Sequence, residues 1–448
     1  MIVLEEAIKA RLLSFLKFLF MTSIYLETYG CASNKFESSV IAGLLERAGF
    51  NVVSSPFNAD VAIINTCCVK LKTRNKMIAR IRKLAEIFGE ERVIIAGCMP
   101  EVELETLIEL FPLASYVSTN HLAKFPKAVL SVLKGDQVVF VGKNKEEKVN
   151  LPRKRMSEVI EIIQICQGCN NACSFCVVKL AKGEIFSYET EKIVREIERA
   201  KKLGAREFWI TGQDVASYGL DIADKSLLPE LLEEILANVR GKYRIRLGMM
   251  NPSNVFAISP KLLRLLKDEH LFKFLHLPVQ SGSDKILKRM NRKYSVADFI
   301  DLVRKFRRHF PLMSIWTDVI VAFPGESEAD FNKSVELIRK LEFDYVNVSR
   351  FSPHPVLKLS KEKQVATNIA KERSRKLTKL VREVALKRNE LWVGRECEIL
   401  VDEFNKKKGN YIGRNESYKP VVLKESPAKL GEFREVRITD ASFTSLFA

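Results

Sequence analysis

Cys169, Cys173 and Cys176 stand together in the stretch Gly168-Cys-Asn-Asn-Ala-Cys-Ser-Phe-Cys176, with the spacing C-x3-C-x2-C. Three thiolates this close can ligate three irons of a [4Fe-4S] cube and leave the fourth iron without a protein ligand. A fold built on such a loop presents its cysteines to an inorganic centre, and an open iron makes redox chemistry the first reading.

Cys166 precedes the trio, so the run also reads C-x2-C-x3-C-x2-C, a spacing that suits a zinc site or a closed four-thiolate electron-transfer cluster. Against that, Val159 to Cys166 is an apolar run of the kind that forms a buried strand, where a cysteine packs as a small hydrophobe. The spacing favours an open cluster on Cys169, Cys173 and Cys176. An open iron can bind and reductively cleave S-adenosylmethionine, a cofactor that the protein need only position.

The 448 residues suffice for about two to four domains, and 47% hydrophobic with 29% charged residues is a globular composition. Lys and Arg number 73 against 55 Asp and Glu, a net charge of +18 with a sequence pI near 9.4. That surplus suits a polyanion. RNA or DNA fits it better than a membrane, because no strongly basic amphipathic helix stands out. Nine cysteines, clustered beside Gly and Asn, point to metal ligation rather than disulfides and to a reducing cytoplasm. Residues 11–21 resemble a short signal sequence, but Lys17 interrupts the apolar stretch and no small-residue cleavage site follows. The stretch is also too short to span a bilayer. Residues 1–21 are expected to be an amphipathic extension, or to arise from an upstream start codon with Met21 the true beginning.

From Ile24 to about Leu133, short apolar runs alternate with helical stretches, the pattern of a small parallel α/β domain. Strands are predicted at Ile24–Thr28, Val61–Thr66, Arg92–Ala96 and Tyr116–Ser118, with helices such as Phe36–Ala48 and Asn75–Phe88 between them. Cys31, Cys67 and Cys98 each directly follow a strand, at the carboxyl edge where such sheets collect ligands. One such cysteine reads as buried filler. Three on one edge predict a second cluster site, again with three protein ligands. Cys68, adjacent to Cys67, would point the other way and is assigned to packing.

Residues 142–158 read as a charged linker. A second, longer series follows, with strands predicted at Val159–Ile165, Glu207–Thr211, Arg244–Gly248, Lys273–His276, Ser314–Val321 and Tyr345–Ser349. Six β/α units suggest a partial barrel, with the cysteine loop at its catalytic end. Thr211-Gly-Gln-Asp214, His276-Leu-Pro-Val-Gln-Ser-Gly282 and Thr317 to Glu326 occupy further strand ends and together read as a cofactor cradle. Asp318 and Glu326 read equally as caps or loop charges, and His276 as a satisfied strand-end histidine. Lys361 to Glu390 is a long basic helical stretch, either a solvated connector or an RNA-facing element. From Trp392 on, short alternating strands at Cys397–Val401, Asn410–Arg414, Pro420–Leu423 and Glu435–Ile438 suggest a small antiparallel barrel, a common nucleic-acid module. Phe404, Tyr411 and Tyr418 are its stacking candidates or its core, and Cys397 is structural.

These motifs, in this order, resemble the methylthiotransferase family of radical-SAM enzymes over nearly all of the chain after residue 22. The landmarks are Thr28-Tyr-Gly-Cys31…Asn34, Asn65-Thr-Cys67, Gly97-Cys98, the Gly168–Cys176 run, Thr211-Gly-Gln-Asp214 and Gly248-Met-Met-Asn-Pro252. Pro278-Val-Gln-Ser-Gly-Ser283, Met290-Asn-Arg292, Phe323-Pro-Gly-Glu326 and Gly413-Arg-Asn…Tyr418-Lys-Pro complete them.

The resemblance implies an α/β protein. It would have an N-terminal domain over 22–141, a radical-SAM partial barrel over 159–390 and a C-terminal TRAM domain over 391–448. It implies S-adenosylmethionine and two [4Fe-4S] clusters, one on Cys169, Cys173 and Cys176 and one on Cys31, Cys67 and Cys98. Phe175, Gly212, Gln213 and Gln280 are the expected cofactor-binding residues, and no acid–base catalyst is expected. Val178-Lys-Leu-Ala-Lys-Gly183 and Ser187-Tyr188 look like the archaeal and eukaryotic branch. That branch is associated with N6-threonylcarbamoyladenosine at position 37 of tRNA. The implied reaction replaces the adenine C2–H with a methylthio group. One S-adenosylmethionine would yield a 5′-deoxyadenosyl radical and a second the methyl. The implied partners are a tRNA anticodon loop and an electron donor protein, without a membrane. The alternatives are a methylthiotransferase acting on a ribosomal-protein aspartate and a non-enzymatic RNA-binding protein with structural metal. Two departures stand out: Ala322 where the family usually has Gly, and Ser352-Pro-His-Pro-Val-Leu357 where it usually has Pro-Gly-Thr.

Overall fold

The computed structural model describes residues 22–69, 71–424 and 427–448, so the predicted extension over 1–21 lies outside the described residues. The chain folds as two compact units, one running to Met156 and including Val177–Glu184, the other comprising Ser157–Cys176 and Ile185–Ala448. Among the described residues no helix is long and apolar enough to cross a membrane.

The first unit is built on a six-stranded parallel sheet in the order β2-β1-β3-β4-β5-β6, made of β1 (Ser23–Thr28), β2 (Asn51–Val53), β3 (Val61–Thr66), β4 (Val93–Gly97), β5 (Ser115–Ser118) and β6 (Val139–Phe140). Every residue of β3 and β4 is buried, as expected of parallel strands covered on both faces, and this made them readable as apolar runs. The edge strands β2 and β6 are too short to leave such a run. Helices α1 (Ala32–Arg47), α2 (Leu71–Phe88), α3 (Cys98–Leu110), α4 (Phe125–Leu133) and α5 (Val178–Lys182) complete the unit.

Both α1 and α2 begin four residues before their predicted starts, because their first turns are polar and carry no apolar period. The predicted linker is a strap lying on this unit. Its Lys148 and Val149 are fully buried, and Lys154 N–H donates to Ser39 O at 2.9 Å. Gly43 of α1 leaves no room for a side chain because the Pro152–Arg153 backbone crosses it.

In the second unit β7 (Ile160–Gln164) is followed by a short antiparallel pair, β8 (Cys166–Gln167) with β9 (Phe186–Ser187). The parallel strands β10 (Glu207–Thr211), β11 (Arg244–Leu247), β12 (Phe274–His276), β13 (Ser314–Val321) and β14 (Tyr345–Arg350) complete the barrel wall. They form two three-stranded sheets, β11-β10-β7 and β12-β13-β14, joined by parallel bridges Ile245↔Leu271 and Met249↔His276. The result is an open six-stranded barrel.

A curled, mainly antiparallel sheet follows: β15 (Glu396–Asn405), β16 (Asn410–Asn415), β17 (Pro420–Leu423), β18 (Phe433–Arg437), β19 (Asp440–Ala441) and β20 (Leu446–Phe447), in the order β18-β15-β16-β17-β20-β19. Trp392, Cys397, Ile399, Val401, Val421 and Leu446 form its core. It seats against the amino-terminal ends of the barrel strands: Lys273 N–H donates to Glu416 O at 2.7 Å, and Arg244 pairs with Glu398 at 2.5 Å. This placement decides between the two readings of one aromatic in favour of core. Tyr418 is buried with its ring 4.9 Å from those of Phe272 and Phe274, and Arg246 lies over it at 5.3 Å. Its backbone φ of +61° sits in the left-handed region, outside the strand pattern. Phe404 remains exposed, with Tyr411 4.8 Å away.

Candidate functional site

The carboxyl edge of the first unit's sheet brings Cys31, Cys67 and Cys98 into one neighbourhood. Cys31 caps α1 after Gly30, whose φ is +121°, and a side chain on Gly30 would sit 3.0 Å from Cys67 Cβ. Cys98 opens α3 after Gly97, whose φ is +90° and whose missing side chain would strike Asn65 and Thr66. A fixed amide pair braces the edge: Asn34 Nδ2 donates to Thr66 O at 3.0 Å, and Asn65 Nδ2 donates to Asn34 O at 3.0 Å. Asn34 Oδ1 accepts from Cys31 Sγ at 3.4 Å. Burial pushes the Cys98 thiol up to about 12; Lys182 pulls it back down, while Glu37, Cys67 and Cys31 push it further up. The three thiols therefore feel one another. Cys68 is fully buried, and burial drives its thiol strongly upward.

In the second unit the cysteine loop leaves β8 beyond the carboxyl end of β7. Cys166 points away from it. Its Sγ approaches Asp214 O at 3.9 Å and lies 2.7 Å from the position a Gly212 side chain would take. Gly212 is thus bare because a sulfur fills the space beside it. Gln213 Oε1 accepts from Gly168 N–H at 2.8 Å and fixes the start of the loop. Phe175 packs on Ile286, Met290, Phe323 and Leu359. Gln280 has φ +76°, held by bonds to Asp318 O and Ile320 N–H at 2.8 and 2.9 Å. A non-glycine residue held in that region marks a position fixed by its surroundings.

The structure gives individual roles to residues that the sequence named only within motifs, or not at all. Asn171 donates to Cys169 Sγ from both its backbone and side chain at 3.4 Å. Asn251 Nδ2 donates to Asn171 Oδ1 at 2.8 Å. Asp214 collects the group, accepting from Asn254 Nδ2 at 2.7 Å, Asn251 N–H at 3.0 Å and Asn171 Nδ2 at 3.3 Å. Burial raises its carboxyl to about 6 against those donors. Arg292 donates to Cys173 Sγ at 3.4 Å and to Pro278 O at 3.0 Å, and Asn291 Nδ2 donates to Ala172 O at 2.8 Å. The loop is thereby strapped by the segment Met290-Asn-Arg292.

Inside the barrel, His276 Nε2 bonds Asp318 Oδ2 at 2.8 Å, and Asn347 Nδ2 donates to Asp318 Oδ1 at 2.6 Å. Glu326 is a backbone brace: it accepts from Ala322 N–H at 2.6 Å and pairs with Arg373 at 2.8 Å, and burial raises its carboxyl to about 7. Ala322 has φ +60°, which explains why glycine is usual there.

Among the described residues no three His, Cys, Asp or Glu side chains are close enough to bind one metal ion. A cluster distributes its thiolates over separate irons, so its ligands stand farther apart than those of a single ion. The donor set suits such a group in both units. Each offers three thiols outside any disulfide on one edge, with N–H donors aimed at sulfur in the second. Buried Gln164 Oε1, at the end of β7, has no hydrogen-bond partner, an acceptor available to a bound molecule.

Residues 23–118 match Uncharacterized protein family UPF0004, residues 163–338 the Radical SAM superfamily and residues 390–448 the TRAM domain. The chain is 38% identical, over 95% of its length and 99% of the relative's, to a probable threonylcarbamoyladenosine tRNA methylthiotransferase of Pyrococcus horikoshii. It is 30% identical to the threonylcarbamoyladenosine tRNA methylthiotransferase of Danio rerio, over 93% of this chain and 76% of that one. A tRNA-2-methylthio-N(6)-dimethylallyladenosine synthase of Caldicellulosiruptor saccharolyticus is 34% identical, with 93% and 89% covered. Among solved structures, the radical S-adenosylmethionine methyltransferase TsrM of Kitasatospora setae shares the fold at a TM-score of 0.54 and 15% identity, with 73% of each chain covered.

Proposed function

The chain belongs to the threonylcarbamoyladenosine tRNA methylthiotransferase family of radical-SAM proteins, and we propose that it converts N6-threonylcarbamoyladenosine at position 37 of tRNA to its 2-methylthio derivative. The observation that carries this reading is identity running through both cysteine-bearing regions and the C-terminal sheet, over 95% of the chain. The ribosomal-protein alternative is not favoured, since the relatives that span the whole chain carry tRNA-modifying names.

Cys169, Cys173 and Cys176 would hold a [4Fe-4S] cluster with S-adenosylmethionine, and Cys31, Cys67 and Cys98 a second cluster. When bound, the first group supplies the one-electron chemistry that an unactivated aromatic C–H demands. The protein's own residues position it. Asn171 and Arg292 donate to the ligand sulfurs, Asp214 locks Asn171, Asn251 and Asn254, and Gln213 fixes the loop's entry. Phe175, Gln280 and the orphaned Gln164 carbonyl face the adenosyl cofactor in this reading, Gly212 giving the loop its close approach to β10. An electron donor protein completes the reaction. Cysteines that form no disulfide suit a reducing cytoplasm.

RNA docking follows from charge. The helix Thr367–Glu390 buries Leu377, Val381 and Ala385 and turns Arg375, Lys379 and Arg382 into an open groove with Ser374, Thr378 and Glu383. Arg382 lies 5.2 Å over the exposed ring of Phe443. Cations beside an exposed aromatic suit a single-stranded, splayed loop. Lys379→Ala is expected to weaken tRNA binding several-fold and to lower the log–log salt slope by about one. An unchanged slope would remove this groove from the interface.

Mass spectrometry of nucleosides tests the function as a whole. Deleting the gene should abolish 2-methylthio-N6-threonylcarbamoyladenosine from tRNA, and restoring it should return the nucleoside. Unchanged tRNA would refute the reading.

A further inference from the structure

Two lysines are buried in the first unit with one carboxylate between them. Lys148, Glu37 and Lys182 are 0%, 1% and 4% exposed. Lys182 Nζ lies 2.6 Å from Glu37 Oε1 and 2.5 Å from Thr119 Oγ1; Lys148 Nζ lies 2.9 Å from the same Glu37 oxygen and 2.7 Å from Thr119 O. Glu37 Oε2 has no hydrogen-bond partner. The trio carries one more positive than negative charge, and a buried excess charge is costly unless an anion stands nearby.

The trio stands beside the cysteine edge of the sheet. Thr119 N–H donates to Gly97 O at 3.0 Å, which places the trio beside the peptide that leads into Cys98. Lys182 arrives on α5, which packs on α3, the helix opened by Cys98, while Glu37 lies on α1, the helix capped by Cys31. Apart from Glu37, the negative influences felt most strongly by Lys182 come from Cys98 and Cys31. Glu146 acts on Lys148 and accepts from Leu122 and Ala123 N–H.

We propose that Lys182, held by Glu37 and Thr119 and backed by Lys148, is the fixed counter-charge of the Cys31/Cys67/Cys98 site and sets the reduction potential of the cluster bound there. The proposal rests on these cysteines holding a cluster. Three thiolates leave a [4Fe-4S] group net negative, and reduction adds one further electron, so a nearby cation favours the reduced form. Lys182 is a tuning residue and touches no substrate.

The test uses the full chain with Cys169, Cys173 and Cys176 all changed to Ala, leaving one site. After anaerobic reconstitution, iron is counted and the midpoint potential is read by EPR during titration with dithionite, the electron source. Lys182→Gln and Lys182→Met are expected to lower the potential by at least a tenfold change in the one-electron equilibrium, about 59 mV. Lys182→Arg should stay within twofold of the parent. Neutral variants with iron and an unchanged potential would overturn the counter-charge while leaving the cluster assignment standing. A parent without iron would sink the cluster assignment, and the proposal with it. If the neutral variants fold without iron, retention by Lys182→Arg supports a charge requirement, and loss in Lys182→Arg as well overturns it.

Discussion

Alanine at Cys173 is expected to lower the iron bound after anaerobic reconstitution from about eight to about four atoms per chain, and 5′-deoxyadenosine release to background. The loop has three thiols at this edge, and its backbone is already fixed by Asn291, Gln213 and the Ser174 N–H bond to Met290 O. Removing one sulfur therefore deletes a ligand without undoing the loop. The companion variant is Cys166→Ala. A closed four-cysteine site would lose iron in both. The structure turns Cys166 Sγ toward Gly212 and Asp214 O, so Cys166→Ala should keep its iron and its cofactor cleavage at a cost of about 1 kcal/mol in packing. Loss of iron in Cys166→Ala would restore the four-thiolate reading.

The residues that carry this contrast were unevenly legible. Cys169, Cys173 and Cys176 announce themselves by spacing, and β3 and β4 by runs of buried apolar residues. Their supports do not. Asn251 meets Asn171 from 80 residues away and Arg292 meets Cys173 from 119, and no local pattern encodes such pairs. Met290-Asn-Arg292 was recognisable as a motif, but its role as a strap needed the fold.

Chemical type misled at other positions. A lysine in a charged stretch ordinarily reads as solvated, yet Lys148 is fully buried and the segment around it lies packed on the first unit. Tyr418 reads as a stacking ring or as core, and it is core, packed under the barrel because the C-terminal sheet seats on the amino ends of its strands. The converse holds at Ala322. Its departure from glycine was visible in sequence, and only its φ of +60° showed that the position concerns backbone conformation, with Glu326 holding the turn.

Cys67→Ala is expected to separate the two halves of the chemistry: 5′-deoxyadenosine release within about twofold of the unmodified protein, about four irons per chain, and no methylthio nucleoside. The two sets of sulfurs belong to different units. Cys67 ends β3 in the first unit, 8% exposed, among the thiols of Cys98 and Cys31, whereas the loop proposed to hold the adenosyl cofactor belongs to the second unit. A Cys-to-Ala change at an almost buried strand end removes one atom and leaves the Asn34–Asn65 brace in place, so the sheet should persist. Cys68→Ala, one residue on, controls for packing. Its sulfur is fully buried, so the change should cost about 1 kcal/mol of stability and leave iron and product intact. Product at normal yield from Cys67→Ala would show that the first unit's cysteines are not the ligands of a second cluster. Loss of 5′-deoxyadenosine as well would show that the two sites do not act independently.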